Sequence, residues 1–280
     1  MTETQMAATP RLAGFLAAAR SRVAAGAYAP RGAALRPHGS LAQAVADGSA
    51  ILAELKPASP SEGRLLDGPA APLLEAYGQE ADAISALTDP DHFGGSPDLL
   101  RQAHATGRPT LMKDFVVDEA QLDSAKHGGA SAVLLIERAL GAERREALVR
   151  AAHARGLEVL LEVFDAKDWQ AARASQADLV GVNARDLETL KVDAAAATIL
   201  LGQIAQERPA VALSGIHDRA GARLAWAAGA KAILVGTAAM RAADPALFLR
   251  SLRRPLAKAC GLRSKADLDA AADADRKSVV

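Results

Sequence analysis

Short apolar segments recur eight times along this chain of 280 residues, and segments of helical character separate them. Val, Ile, Leu and Ala dominate the short segments, which have the length of buried strands. A crossover between parallel strands needs about a dozen residues or more, and each interval provides them. The pattern therefore predicts an α/β chain of eight βα units with these strands: Ala50–Leu55, Ala83–Leu87, Thr110–Met112, Ala132–Ile136, Glu158–Val163, Leu179–Val182, Ala210–Leu213 and Ala232–Val235.

The carboxyl ends of the predicted strands are evenly spaced. Consecutive ends lie 21 to 31 residues apart, counted between Lys56, Leu87, Lys113, Ile136, Glu162, Asn183, Ser214 and Gly236. The helices predicted between them include Gln121–His127, Arg144–Ala154, Lys167–Ala174 and Asp218–Ala228. Eight such units predict a single closed (β/α)8 TIM barrel. A doubly wound open sheet is the alternative, although such a sheet seldom has eight units so evenly spaced.

Charge and cysteine content narrow the class of protein. The chain has 33 Lys and Arg residues and 33 Asp and Glu residues, so its formal net charge is zero. Proteins that bind nucleic acid or membrane surfaces are usually basic, and no apolar run approaches the roughly 20 residues of a membrane span. The single cysteine, Cys260, excludes an intramolecular disulfide and favours a reducing compartment such as the cytoplasm.

The first 48 residues are rich in Ala and Arg and poor in acids, which resembles an organelle transit peptide. The interpretation we favour is an amphipathic helix from Arg11 to Ala25 and a second helix that begins near Ser40. The predicted division is therefore a helical extension over 1–48, a barrel over 49–255 and a tail over 256–280.

The first predicted strand ends with an acid and a base on the same side. Glu54 and Lys56 are two residues apart, so both side chains point to one face of the strand. A turn rich in Ser and Pro follows directly. Burying charged groups costs free energy of folding, so their presence here indicates a role in chemistry. A structural ion pair at the strand end is the alternative.

Further polar residues stand at or just after the ends of other strands. In a (β/α)8 barrel these ends form one face, where the active site lies. Convergence of this kind predicts an active site built from Glu54, Lys56, Lys113, Glu162, Asn183, Arg185 and Ser214.

Two turns have the composition of a phosphate site. Gly215 follows the seventh strand, and Gly236 with Thr237 follows the eighth. Glycines let backbone N–H groups approach an anion, and barrels often bind phosphate after these two strands. Lys56 and Ser59 on the first loop complete the predicted phosphate site. Ordinary tight turns are the alternative.

From about Ser40 to Pro245 the chain resembles the indole-3-glycerol-phosphate synthase family, with one motif in each barrel unit. The N-terminal helices also resemble that family's extension, which lies over the barrel mouth. The motifs are Ala53-Glu-Leu-Lys-Pro-Ala-Ser-Pro-Ser61, Ala83-Ile-Ser-Ala-Leu-Thr-Asp89 with Phe93-Gly-Gly-Ser96, Leu111-Met-Lys-Asp-Phe115, Ala132-Val-Leu-Leu-Ile136, Leu161-Glu-Val163, Gly181-Val-Asn-Ala-Arg-Asp-Leu187, Ser214-Gly-Ile216 and Leu234-Val-Gly236 with Met240-Arg241.

The resemblance implies a decarboxylating ring closure in tryptophan biosynthesis, without cofactor or metal. The substrate would be 1-(2-carboxyphenylamino)-1-deoxyribulose 5-phosphate, and other enzymes of the pathway are possible partners. Lys113 resembles the family's acid at the ketone, and Glu162, Glu54, Lys56 and Asn183 complete the implied catalytic set. Which group acts as acid or base at each step stays open. The implied substrate-binding residues are Arg185, Ser214, Phe93, Phe115, Leu134 and Leu187, with core packing as the alternative for the four apolar ones.

Two features depart from the family pattern. Leu213 stands where the family usually has a strand-7 Glu that faces the substrate, which predicts reduced activity or a paralogue with shifted or lost activity. The tail from Lys258 to Asp275 resembles the first strand and helix of phosphoribosylanthranilate isomerase, in which the Cys of Lys-x-Cys-Gly is catalytic. It is too short for a second barrel, so we interpret it as a remnant or truncation of a fusion. A coincidental Ala/Asp-rich helix is the alternative.

Two other functions are compatible with part of this pattern. One is a different phosphate-binding barrel enzyme, such as a sugar-phosphate isomerase or aldolase. The Glu-x-Lys-x-x-Ser-Pro-Ser run argues against it. The other is a non-catalytic barrel that binds an anthranilate-like ligand without turnover, which only Leu213 and the short tail favour.

Overall fold

The computed structural model describes residues 10–30, 32–253 and 264. Eight parallel strands close into one barrel, in which each strand pairs with the barrel strands before and after it in sequence and the first pairs with the eighth, so the predicted barrel is confirmed. A short hairpin, Ala58–Ser59 with Gly63–Arg64, follows the first strand. The barrel strands are β1 Ala50–Leu55, β2 Ala83–Leu87, β3 Thr110–Lys113, β4 Ala132–Ile136, β5 Glu158–Val163, β6 Leu179–Asn183, β7 Ala210–Leu213 and β8 Ala232–Val235.

The helices lie between the strands and in the N-terminal extension. Several of them have a side-chain cap at the amino end. The helix that begins at Glu119, for example, is capped by Asp118, which forms a capping box with Gln121. The helices are α1 Pro10–Ala24, α2 Leu41–Val45, α3 Ala71–Glu80, α4 Pro90–Phe93, α5 Pro97–His104, α6 Glu119–His127, α7 Glu137–Leu140, α8 Ala142–Ala154, α9 Ala166–Ala172, α10 Ala194–Ile204, α11 Arg219–Ala227, α12 Thr237–Arg241 and α13 Pro245–Leu252.

Alternate residues along each strand belong to two separate hydrophobic cores. Leu52, Leu111 and Leu160 belong to a cluster inside the barrel. Their neighbours, such as Ile51 and Met112, belong to a cluster between the strands and the surrounding helices. Successive side chains of a strand point to opposite faces of the sheet. Because both faces are buried, almost every residue of a strand is apolar.

Helix α2 covers the amino end of the barrel. Leu41 and Val45 are buried in the inner cluster. Ser40 caps the helix, and the backbone N–H of Ala42 donates to the Glu158 carboxylate over 2.9 Å. Because Glu158 begins β5, these contacts attach the extension to the end opposite the predicted active site.

Helix α1 covers the carboxyl end. The backbone N–H of Arg11 donates to the Glu188 carboxylate over 3.1 Å, and Glu188 lies in the loop after β6. Near the middle of the helix, the ring of Phe15 lies 4.8 Å from the ring of Phe115, centroid to centroid. Arg22, near the end of the helix, reaches the loops after β2 and β3. The extension therefore places one helix over each end of the barrel.

The differences from the sequence prediction are small. Strands β3 and β6 extend by one residue, to Lys113 and Asn183, and the helix ends that differ move by one or two residues. The tail, with Cys260, lies outside the described residues apart from Ser264, and the divisions at residues 48 and 255 stay predictions. Among the described helices, none is both long enough and apolar enough to cross a bilayer.

Two Gly→Ala substitutions should have opposite effects on stability. A Cβ on Gly95 would lie 2.4 Å from the backbone oxygen of Leu87, so Gly95→Ala should lower the free energy of unfolding by at least about 2 kcal/mol. A Cβ on Gly14, in helix α1, would meet no atom within 4 Å. Gly14→Ala should therefore raise the free energy of unfolding by about 0.5–1 kcal/mol. Urea unfolding measures both, and equal effects would contradict the loop geometry after β2.

Candidate active site

A cleft of about 740 Å³, its open mouth included, lies at the carboxyl end of the barrel. All eleven residues predicted as catalytic or substrate-binding line it. It therefore brings together side chains from seven of the eight βα units, five of which contribute a strand residue. They are Glu54, Lys56, Phe93, Lys113, Phe115, Leu134, Glu162, Asn183, Arg185, Leu187 and Ser214.

The Glu54 carboxylate is shared by two lysines. One carboxylate oxygen lies 2.7 Å from Lys113 Nζ, and the other lies 3.0 Å from Lys56 Nζ. Glu54 projects into the barrel from β1, and Lys113 ends β3. Burial alone would raise the pKa of Glu54, but the charges and hydrogen bonds of the two lysines outweigh it and lower the pKa to about 2. Glu54 is thus ionised and holds both ammonium groups in the cleft.

Lys113 stays protonated because carboxylates surround it. Burial lowers the pKa of this amine, but the charges of Glu54 and Glu162 exceed that effect, and the pKa lies above its usual value. Its side chain is only 17% exposed, so the ammonium reaches the cleft with little competition from water. The arrangement supplies a charged proton donor inside a largely dry site.

Glu162 lies in the opposite electrostatic environment. Burial raises its pKa, and the charge of Lys113 and a hydrogen bond from Asn183 offset this only in part. Its Oε2 atom is buried without a hydrogen-bond partner in the described part of the chain. Asn183 Oδ1 accepts from the backbone N–H of Arg185 over 2.9 Å, which leaves the Asn183 amide group to donate to Glu162.

The two carboxylates therefore have pKa values that are pushed apart. Glu54 is ionised because its pKa is lowered, whereas the raised pKa of Glu162 favours its protonated form more than that of an ordinary glutamate. Pairs of this kind mark acid–base chemistry in enzymes. The sequence identified both residues, but the residue types alone did not distinguish their roles.

The apolar wall of the cleft contains more residues than the sequence indicated. Besides the predicted residues, Phe15 from helix α1 lines the cleft, and so do Ile136 and Leu190. The ring of Phe15 also lies 4.4 Å from the ring of His92, in an edge-on arrangement. Phe15 was missed because a buried aromatic residue on an amphipathic helix gives no sign of which surface the helix covers.

A smaller cleft of about 350 Å³ adjoins the first and holds most of the predicted phosphate site. It is lined by Lys56, Gly215, Gly236 and Thr237, as predicted, and also by Arg185, Ser214 and His217. Four residues line both clefts: Glu54, Lys56, Arg185 and Ser214.

The loop after β7 has an unusual backbone. Ser214 has φ of 61° and Gly215 has φ of 75°, so two successive residues adopt the left-handed region. This conformation is strained for Ser and typical of functional sites. A Cβ on Gly236 would lie 2.4 Å from Glu54 Oε1, so a larger residue in the loop after β8 would have to displace the Glu54 carboxylate.

Ser59 lies apart from the other predicted phosphate ligands. It lines the larger cleft and not the smaller one, and its hydroxyl accepts from the backbone N–H of Glu62 over 3.0 Å. Its contact with phosphate stays a prediction.

Leu213 points into the barrel and packs in the inner cluster. Its side chain is buried over Gly181, where its Cδ1 lies 2.5 Å from the position that a Cβ would take. It does not line either of the two clefts described above. The position therefore contributes apolar packing beside the register partner Asn183 rather than a polar group.

One group of side chains has the composition of a metal site. Ligand atoms of Asp89, Asp91 and His92 lie within 4.8 Å of one another. Arg22 forms ion pairs with both carboxylates, so a protein cation already stands where a metal ion would bind. We assign this group no metal-binding role.

Comparison with known proteins identifies the family of this chain. The sequence model of the family described as "Indole-3-glycerol phosphate synthase" matches residues 21–252. The chain belongs to the indole-3-glycerol phosphate synthase family. One relative, indole-3-glycerol phosphate synthase 2 of Streptomyces coelicolor, is 44% identical over 208 residues, which are 73% of this chain and 81% of the relative. The synthase of an Exiguobacterium species is 40% identical over 80% of this chain and 88% of its own length.

Solved structures support the fold of this family member. A crystal structure of 3-hexulose-6-phosphate synthase superposes with a TM-score of 0.60, at 19% identity, over 72% of this chain and 97% of that chain. At this level of identity the likeness concerns the barrel alone.

The two glutamates should respond oppositely to replacement by glutamine. Glu54→Gln leaves two lysines without their counter-ion and should lower the free energy of unfolding at neutral pH by about 2–3 kcal/mol. Because the pKa of Glu54 is lowered to about 2, its contribution is present above 4.5 and is lost as pH falls from 4.5 towards 2.

Glu162→Gln should instead stabilise the fold at neutral pH. The pKa of Glu162 is raised in the folded state, so wild-type stability is lost as pH rises through that value, and the variant avoids this loss. Below the ordinary value of 4.5 the advantage should vanish. Thermal unfolding between pH 3 and 8 measures both variants, and the same sign for the two at neutral pH would refute the assigned charges.

Proposed function

We propose that this protein is an active indole-3-glycerol-phosphate synthase. It converts 1-(2-carboxyphenylamino)-1-deoxyribulose 5-phosphate to indole-3-glycerol phosphate, carbon dioxide and water, as a carboxy-lyase of tryptophan biosynthesis. The observation that carries the proposal is the pairing of an ionised Glu54, which holds two ammonium groups, with a protonatable Glu162 in one cleft. Family membership is the second support.

The shape of the cleft matches the two ends of this substrate. The phosphate occupies the smaller cleft at Gly215, Gly236 and Thr237, where Lys56 and Arg185 supply positive charge. The aromatic ring occupies the larger cleft beside Phe93 and Phe115, whose rings lie 6.2 Å apart, centroid to centroid, and form one wall with their apolar neighbours. Bound in this direction, the sugar ketone lies between the lysines and Glu162.

Ring closure begins at the ketone. Lys113 gives a proton to the ketone oxygen while the ring carbon that bears the carboxylate attacks the carbonyl carbon. The new carbon–carbon bond disrupts the aromatic ring, and loss of carbon dioxide returns the electron pair and restores it. Decarboxylation consumes one proton per turnover, which Lys113 takes back from solvent, and the charge of Glu54 favours this reprotonation.

Dehydration follows, and Glu162 serves twice. Its carboxylic acid protonates the hydroxyl group formed in the first step, which leaves as water. The carboxylate that remains removes a proton from the carbon next to the ring nitrogen, so the double bond of the indole forms and Glu162 regains its proton. Asn183 holds the carboxyl group in place through its amide.

The substrate is a phosphorylated small molecule, and contacts with other enzymes of the tryptophan pathway remain a proposal. The single cysteine favours the cytoplasm as the location.

Removal of the Lys113 amine should abolish turnover. Lys113→Ala lacks the acid of the first step, so kcat should fall by at least about 10³-fold. Fluorescence of indole-3-glycerol phosphate measures product formation. Lys167→Ala, an exposed lysine on α9, is the control and should match the wild type. A folded wild type that binds the substrate without turnover would instead favour the non-catalytic barrel.

Leu213→Glu tests whether this chain lacks the family's substrate contact. Leu213 is buried in the inner cluster and lines neither cleft, so the new carboxylate must displace the packing over Gly181 to reach the substrate. Where it does, a hydrogen bond to a substrate hydroxyl should raise kcat/KM by about 5- to 150-fold. Leu213→Gln introduces a side chain of the same length as Glu but without its charge, so comparing the two variants separates the effect of the charge from that of the shape. An unchanged or lower kcat/KM in Leu213→Glu would show that apolar packing over Gly181 suits this chain.

A further inference from the structure

Arg22 connects helix α1 to two loops of the barrel mouth. Its Nη2 atom lies 2.8 Å from Asp89 and 3.4 Å from Asp114, and its Nη1 atom pairs with Asp91. Its Nε–H donates to the Tyr28 hydroxyl over 3.2 Å. The side chain is only 12% exposed, so this guanidinium lies inside the contact between the extension and the barrel.

Two of these carboxylates are buried together. The side chains of Asp89 and Asp114 are fully shielded from solvent, and both line the active-site cleft. Thr88 donates to Asp114 over 2.8 Å and Tyr28 donates to it over 2.9 Å, but neither brings a positive charge. Arg22 is the cation that the two carboxylates share, and a buried carboxylate without one is costly.

Each of the two carboxylates fixes residues of the active site. Asp114 follows Lys113 directly, and its Oδ1 accepts from the backbone N–H of Phe115 over 2.8 Å. Asp89 caps helix α4 by accepting from the backbone N–H of His92 over 2.7 Å, and Phe93 is the last residue of that helix. The proton donor and both aromatic walls thus depend on two carboxylates that Arg22 holds.

The same arginine fixes helix α1. At the other end of the helix, the backbone N–H of Arg11 binds Glu188 at an exposed position. Phe15 lies between these two attachments and lines the cleft against Phe115. Because the Arg11 attachment is exposed, the buried ion pairs of Arg22 with Asp89 and Asp114 contribute more to the position of Phe15.

We propose that Arg22 is a positioning residue for the synthase reaction: through Asp89 and Asp114 it aligns Lys113 with the ring pocket of Phe15, Phe93 and Phe115. The inference rests on the proposed function. Ring closure requires the attacking carbon, the ketone and the acid to be aligned with one another. Small displacements of such groups lower the rate of the chemical step strongly. The phosphate site is at the other end of the cleft, so substrate affinity depends on Arg22 less than turnover does.

The test compares Arg22→Gln, Arg22→Lys and the control Arg20→Gln, which changes an exposed arginine of the same helix. We expect kcat of Arg22→Gln to fall by about 10- to 100-fold with KM changed less than about threefold. Arg22→Lys keeps the charge but has a shorter side chain and three donors instead of five, so it cannot keep all the contacts of the guanidinium, and its kcat should lie between those of Arg22→Gln and the wild type. Low millimolar guanidinium ion should restore part of the kcat of Arg22→Gln and none in the control.

Circular dichroism and the thermal midpoint establish that each variant is folded. A folded Arg22→Gln with wild-type kcat would overturn the inference, and so would a loss that resides in KM alone or one that guanidinium leaves unchanged. If Arg22→Gln does not fold, Arg22→Lys decides, and an unchanged kcat there contradicts the proposal. Lack of turnover in the wild type would instead overturn the proposed function.

Discussion

The buried carboxylate of Glu54 is the interaction on which the active site depends. It lies where side chains from neighbouring strands converge, and it binds Lys56 and Lys113 at once. A single buried ammonium would lose its proton, and two together would repel each other. The shared anion keeps Lys113 charged, which makes proton donation by Lys113 possible, and it also forms an ion pair with Lys56 on the wall of the smaller cleft. The close approach of Gly236 shows that the loop after β8 is shaped around this carboxylate.

The barrel provides the geometry for this cluster, and the extension completes the cleft. Parallel strands bring their carboxyl ends to one face, so residues far apart in sequence converge there. Helix α2 covers the opposite end, where it adds to the inner apolar cluster. Helix α1 supplies Phe15 to the cleft wall and a guanidinium to two buried carboxylates. The extension is therefore part of the site and of the core.

Much of this could be predicted from the sequence, for identifiable reasons. The apolar period locates each strand, and the first residues after it locate the rim, so Lys113, Glu162 and Asn183 were placed together. Secondary-structure boundaries were less accurate, because Lys113 and Asn183 continue the ladder of their strands. The pKa difference between Glu54 and Glu162 was beyond the sequence, because it depends on which charges lie within a few ångströms and on how deeply each carboxylate is buried.

The sequence alone determined the number and order of βα units, the closed barrel and the face that carries the polar residues. These follow from local patterns of hydrophobicity and from the fixed handedness of parallel crossovers. Only the tertiary structure decided that Arg22 pairs with Asp89 and Asp114, which lie 67 and 92 residues away, and that Phe15 lines the cleft. Such contacts depend on how a separate helix lies across the finished barrel, and no local period in the chain encodes that orientation.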